Sequence, residues 1–176
     1  EARALAEQAG VNPEREFYLL WALGHDLPGA ITITPADGEA WPPDVAGGDD
    51  DRGDDRRQKA LRFSLAGVQL KFSAVMGATG GLTIPASGVG GSWIVKLPSR
   101  EFAGVPENEF SMMKLASLIG MNVPAIDLVG IDAIKNLPEG IDKIGSHAFV
   151  IERFDRLSDG SRVHIEDFAQ VYGLYP

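Results

Sequence analysis

Ser64-Leu65-Ala66-Gly67-Val68-Gln69-Leu70-Lys71 sets a glycine-containing turn between apolar segments, and a second lysine follows in Trp93-Ile94-Val95-Lys96-Leu97-Pro98. These residue types suit phosphate chemistry. A loop without bulky side chains lets backbone N–H groups close on phosphate oxygens, and a fixed cation neutralises the charge they carry. Lys96 shares a pleat side with Ile94, so it is either an edge charge extending to solvent or an inward cation with a purpose. The helical pattern over residues 106 to 119 carries two carboxylates near its start, Glu107 and Glu109. Both also suit a helix N-terminus without any catalysis, because the macrodipole favours acids there.

Strands and one main helix must position these groups. Residues 72–76 and 82–85 predict two strands around a Gly77–Gly81 turn, and 92–97 follows a second glycine-rich turn, giving an antiparallel hairpin meander. In the helix over 106–119, Glu109, Met112, Met113, Ala116 and Ile119 fall on one side, and Gly120 supplies the left-handed stop. The β-branched runs at 126–131 and 146–151 predict further strands separated by a Pro138/Gly140 loop. Ile165, Phe168, Ala169 and Tyr172 then mark a short amphipathic helix. Upstream, residues 1–10 and 14–23 have helical pattern and 30–34 alternates like a strand. Between them and the loop, residues 44–60 carry Gly47-Gly48, Asp49-Asp50-Asp51 and mixed charge with almost nothing to bury, the composition of a linker.

Composition excludes several classes. The 176 residues carry a formal charge of −9, which repels a phosphate backbone and argues against direct nucleic-acid binding. Cysteine is absent, which rules out disulfides and thiolate metal sites. The three histidines, His25, His147 and His164, lack metal-ligand spacing. No window approaches the roughly 18 apolar residues of a membrane span, so the expected location is the cytoplasm, away from membrane.

Six ordered blocks then narrow the reading: Ser64-Leu65-Ala66-Gly67-Val68-Gln69-x-Lys71, Ile94-Val95-Lys96-Leu97-Pro98, Glu107-Asn108-Glu109-Phe110, Val123-Pro124, Glu152-Arg153-Phe154-Asp155-Arg156 and His164-x-Glu166-Asp167-Phe168. In order and spacing they resemble HipA-type serine/threonine kinases, the toxins of HipA–HipB toxin–antitoxin pairs. The resemblance covers residues 61–176, and Leu23-Gly24-x-Asp26-Leu27-Pro28-Gly29-Ala30 looks like the end of that family's small N-terminal subdomain. It implies an α+β fold: the end of that subdomain at 1–43, a linker at 44–60, and a protein-kinase-like N-lobe at 61–176, an antiparallel sheet with a main helix.

The same resemblance implies ATP as cofactor, held by Ala66, Gly67, Val68, Gln69 and Lys71 of the loop, by Lys96, and by Glu152 and Phe154 of a hinge. Glu109 is the expected partner of Lys96, with Glu107 its rival. In the resemblance Ser64 is the loop serine that such kinases phosphorylate on themselves; a phosphate there brings negative charge to a loop that must accept ATP. Without that context, Arg153, Asp155 and Arg156 are a strand end with surface ion pairs of small worth. The expected partners are a protein substrate of the aminoacyl-tRNA synthetase type and a HipB-like DNA-binding antitoxin. The family's catalytic aspartate and Mg²⁺ ligands are expected beyond residue 176, so the chain reads as a fragment, inactive alone, of an active parent. The alternative is a catalytically inactive module that docks an antitoxin or sibling chain; a sugar or lipid kinase rests only on shared fold.

Overall fold

In the computed structural model, the described residues are 20, 24–34, 36, 71–78, 80–85, 90–99, 101–137 and 145–174. Six strands form one sheet: β1 (Lys71–Met76), β2 (Leu82–Thr83), β3 (Trp93–Lys96), β4 (Ile126–Gly130), β5 (Ile134–Lys135) and β6 (His147–Glu152), in the order β4-β6-β3-β1-β2-β5. Among the described residues two complete helices accompany it, α1 (Val105–Leu118) and α2 (Phe168–Tyr172), making the fold the expected α+β.

The sheet is curled, and the chain itself shows why. β4 and β5 lie at opposite edges of the strand order, yet only the 3-10 turn Ile131–Ala133 separates them in sequence. Four residue steps span at most about 14 Å of extended chain, so the two edges must come close together. The apolar face turns inward: Phe72, Ala74, Val95, Leu97, Ala148 and Val150 are buried with Leu82, Ile84, Ile131 and Ile134 in one core. Period-two alternation then sends Lys71, Ser73, Ile94, Lys96, Phe149 and Leu128 to the opposite face.

The sheet corrects the all-antiparallel expectation at one edge, because β2 pairs parallel to β5. β5 lies where a plain loop was expected. It is held by the Ile84 N–H on Lys135 O (3.1 Å) and by Asn136 Nδ2 on Ile84 O (3.1 Å), and it buries Ile134. The expected strand over residues 30–34 also fails: the segment joins no sheet, and Ile31 is 59% exposed. After the 3-10 turn Gly24–Asp26 it is an irregular strap, closed by Ile33 N–H on Gly24 O at 2.9 Å. Anchoring by charged side chains decides its path, as described below. The expected helices within 1–23 and the 44–60 linker lie outside the described residues, apart from Leu20, which is helical and exposed.

α1 starts after Gly104 with Pro106 buried in its first turn and stops at Gly120 (φ 88°), whose N–H reaches Ser117 O while that of Met121 reaches Ala116 O. Its inward side differs from expectation. Pro106, Glu109, Phe110, Met113 and Ala116 face inward, whereas Met112 and Ile119 are 57% and 72% exposed. Hydrophobicity alone could not separate Phe110 from Met112, and the side that packs inward is the one that also carries Glu109.

Candidate nucleotide site

Four residues directly opposite one another cross the outward face as a row: Lys71 on β1, Lys96 on β3, Phe149 on β6 and Leu128 on β4. α1 packs over the β6 and β4 end of this row. Lys96 Nζ forms an ion pair and hydrogen bond with Glu109 Oε1, the two side chains being 24% and 28% exposed. The same ammonium stands 5.5 Å from the centroid of the Phe149 ring, a cation–π distance that fixes the lysine from below. Phe149 is fully buried. Glu107, the rival carboxylate, goes instead to His147 Nδ1 at 3.5 Å. Glu107 of the first turn and Glu109 just beyond it thus both reach the sheet.

Lys71 and Lys96 are cross-strand partners on one face. The arrangement fits a polyphosphate: two cations at strand positions, one oriented by a carboxylate, next to the end of the glycine-containing loop. Ser64, Ala66, Gly67, Val68 and Gln69 of that loop lie outside the described residues, so among the phosphate-loop candidates only Lys71 is placed.

The second glycine-rich turn locks onto β1 through backbone. Gly91 N–H donates to the buried Ser73 Oγ (3.1 Å), which donates back to Gly91 O (3.3 Å). A Cβ on Gly91 would stand 2.4 Å from Ala74 N, so only glycine permits this approach. The neighbouring Ser92 O accepts from Arg153 N–H at 2.8 Å, and Ala125 O accepts from Glu152 N–H at 2.8 Å. These bonds seat the residues that leave β6. Phe154, the next hinge candidate, is exposed at the turn that follows.

Arg153, Asp155 and Arg156 correct the surface-pair expectation. The Arg153 and Asp155 side chains are 1% and 7% exposed and that of Arg156 11%, and they close on Asp26, which is fully buried. Asp26 Oδ1 accepts from Arg153 Nη1 (2.8 Å) and Arg156 Nη2 (2.9 Å). Asp155 accepts from Arg153 Nε (3.1 Å) and Nη2 (3.2 Å), Arg156 Nη1 (2.8 Å) and Gly29 N–H (2.7 Å). Burial pushes the Asp155 carboxyl upward, but the Arg153 and Gly29 hydrogen bonds and the two guanidinium charges outweigh it and hold it below 3.8. Sequence reasoning missed this because the fourth member comes from the far end of the chain. Asp26 inside Gly24-x-Asp26-Leu27-Pro28-Gly29 was the available signal.

His164, Glu166 and Asp167 complete the placed motif residues. Asp167 caps α2: its carboxylate accepts from Gln170 N–H (2.7 Å) while Gln170 Oε1 accepts from Asp167 N–H (2.8 Å), a capping box. That part of the motif therefore has a structural task.

The family model of the HipA-like C-terminal domain matches residues 63–176. The chain belongs to the HipA-like family. Two Sinorhizobium fredii relatives whose names include the word kinase are Y4dM, 57% identical over 98% of this chain, and Y4mE, 34% identical over 97%. The serine/threonine-protein kinase toxin HipA of Shewanella oneidensis is 27% identical over 97%. The chain spans 41%, 43% and 40% of those three proteins. A solved complex of Shewanella oneidensis HipA with HipB and its operator DNA matches with a TM-score of 0.59 at 26% identity, over 97% of this chain and 40% of that one. Family, α+β fold and kinship to a kinase toxin thus agree. Among the described residues no helix is long and apolar enough to cross a membrane.

Proposed function

We propose that residues 61–176 form the nucleotide-binding lobe of a HipA-like serine/threonine protein kinase, with residues 1–43 the end of a small N-terminal subdomain and 44–60 a linker. The observation that carries the reading is the Lys96–Glu109 pair seated on Phe149 beside Lys71. In a phosphoryl transfer there is little covalent work for a protein, so positioning and charge stabilisation dominate. Lys96 holds the phosphates nearest the nucleoside, Glu109 keeps its ammonium aimed, and Lys71 carries the far side of the loop 66–69. The Glu152–Phe154 backbone meets the adenine. ATP supplies the transferable phosphoryl group.

The described residues contain no group of three or more His, Asp or Glu side chains able to hold a metal, so Mg²⁺ is assigned no residue here. The carboxylate that accepts the substrate proton and the Mg²⁺ ligands belong to the remaining length of a HipA-sized protein. Its substrate is a protein, of the aminoacyl-tRNA synthetase type, in a cytoplasmic setting, and Ser64 is its own target. A phosphate on Ser64 adds about −1.5 to −2 charge and repels the incoming nucleotide. A HipB-like antitoxin is the expected partner.

A docking module without catalysis is the second reading, favoured by the exposed Met112, Leu115, Leu118 and Ile119 along α1. One experiment separates the two. Full-length protein and its Lys96→Ala variant are incubated with labelled ATP, and phosphate is followed on substrate protein and on the tryptic peptide containing Ser64. The kinase reading expects transfer by the parent and a loss of about 100-fold or more in Lys96→Ala, the scale of a lost charge-stabilising group. Equal labelling in both, or none in the parent with antitoxin binding retained, refutes it.

A further inference from the structure

We infer that Asp26 is a positioning residue for the nucleotide, acting through Arg153 and Arg156 on the segment that meets the adenine. The inference rests on the proposed reading of residues 152–154 as that segment. Arg153 faces two ways: its backbone N–H is committed to Ser92 O, at the entry to the strand that carries Lys96, and its guanidinium runs into the buried Asp26–Asp155 pair. The orientation of that short stretch is therefore set by what holds the guanidinium.

What holds it comes from the strap 24–34. Besides Asp26, the strap presents three alternate carbonyls to three arginines. His25 O accepts from Arg162 Nη2 (2.9 Å), Leu27 O from Arg156 Nη2 (2.8 Å) and Arg153 Nη2 (3.5 Å), and Gly29 O from Arg156 Nη1 (2.8 Å). Gly29, at φ 77°, lies against residues 163–165, where an added Cβ would stand 3.2 Å from Ile165 Cγ1. The strap is thus enclosed by residues 153–156 on one side and 162–165 on the other. Asp26 and Asp155 balance Arg153 and Arg156 in charge. Removing the Asp26 charge leaves two buried guanidiniums competing for one carboxylate, and the stretch from Arg153 to Arg156 reorients. Asp26 is fully buried and reaches the segment only through the arginines, so binding changes while the chemical step does not.

The test uses full-length protein: wild type, Asp26→Asn, Arg156→Met and the double variant. Affinity for a fluorescent ATP analogue, KM for ATP, kcat and Tm are measured together. The expected result is an affinity loss of about tenfold, equivalent to ~1.4 kcal/mol, in Asp26→Asn, with kcat within about twofold of wild type. The double variant loses no more than the single ones, as coupled residues do. A folded Asp26→Asn protein with lowered Tm but wild-type affinity overturns the inference and leaves the kinase reading standing. Wild type that binds no nucleotide sinks both. Should Asp26→Asn not fold, Arg156→Lys, which keeps the charge but loses the planar fork, is judged by the same affinity criterion.

Discussion

Asp155→Asn decides whether the cluster after β6 behaves as a buried network or as a set of surface pairs. The carboxylate is enclosed by four N–H donors, from Gly29, Arg153 twice and Arg156, at 2.7–3.2 Å. An amide keeps the shape but turns an NH₂ toward donors and removes one of two charges that neutralise the arginines. Breaking a buried pair in this way costs about 3–5 kcal/mol, against about 0.2–1 kcal/mol for an exposed one. For a chain of this size each kcal/mol moves Tm by ~2–4 °C, so the drop expected is about 6–20 °C. Denaturant titration of wild type and variant at pH 7 measures the difference directly. The acid side gives a second reading. Because the folded carboxyl lies below its ordinary value, its stabilisation is fully present above the unfolded value of about 3.9 and is lost as pH falls through the lower folded value. Wild type therefore loses stability below about pH 4, and the part of that slope due to Asp155 disappears in the variant. A loss under about 1 kcal/mol at pH 7, or an acid slope unchanged by the substitution, refutes the buried-network account.

Two further substitutions probe the scaffold. Phe149→Ala empties the fully buried platform under Lys96, with an expected cost of about 3–5 kcal/mol by denaturant titration; a cost under 1 kcal/mol would show that the row across the sheet does not support the lysine. Asp167→Ala removes the α2 cap, costing about 1 kcal/mol, and hydrogen exchange should quicken in residues 168–172 while β6 is unaffected.

Much of the scaffold was legible in local pattern. The lysine strand, the hairpin before it, the Pro106-to-Gly120 helix and the paired runs at β4 and β6 follow from period-two and helical spacing and from glycine and proline punctuation, all of which act over a few residues. The pairing of Lys96 with Glu109 rather than Glu107 was expected from the family resemblance and not from local pattern, which left both acids open. Other features were out of reach for a stated reason. Which side of α1 faces inward was not legible, because Met112 and Phe110 are equally suited to burial by hydrophobicity and only the packing on the sheet selects Phe110. The parallel β2–β5 pairing exists because the sheet curls until its edges meet, and no two-residue strand announces that.

The chain's order of residues determined by itself a lysine on an alternating strand, a carboxylate one turn into the next helix, glycine-rich turns between the strands, and a formal charge of −9. Tertiary structure alone decided that Asp26 meets Arg153 and Arg156 across separations of 127 and 130 residues, turning a run of charges that reads as solvated into a buried network. Local spacing constrains what a few neighbouring residues can do, whereas the burial of a charge depends on which distant partner arrives to neutralise it.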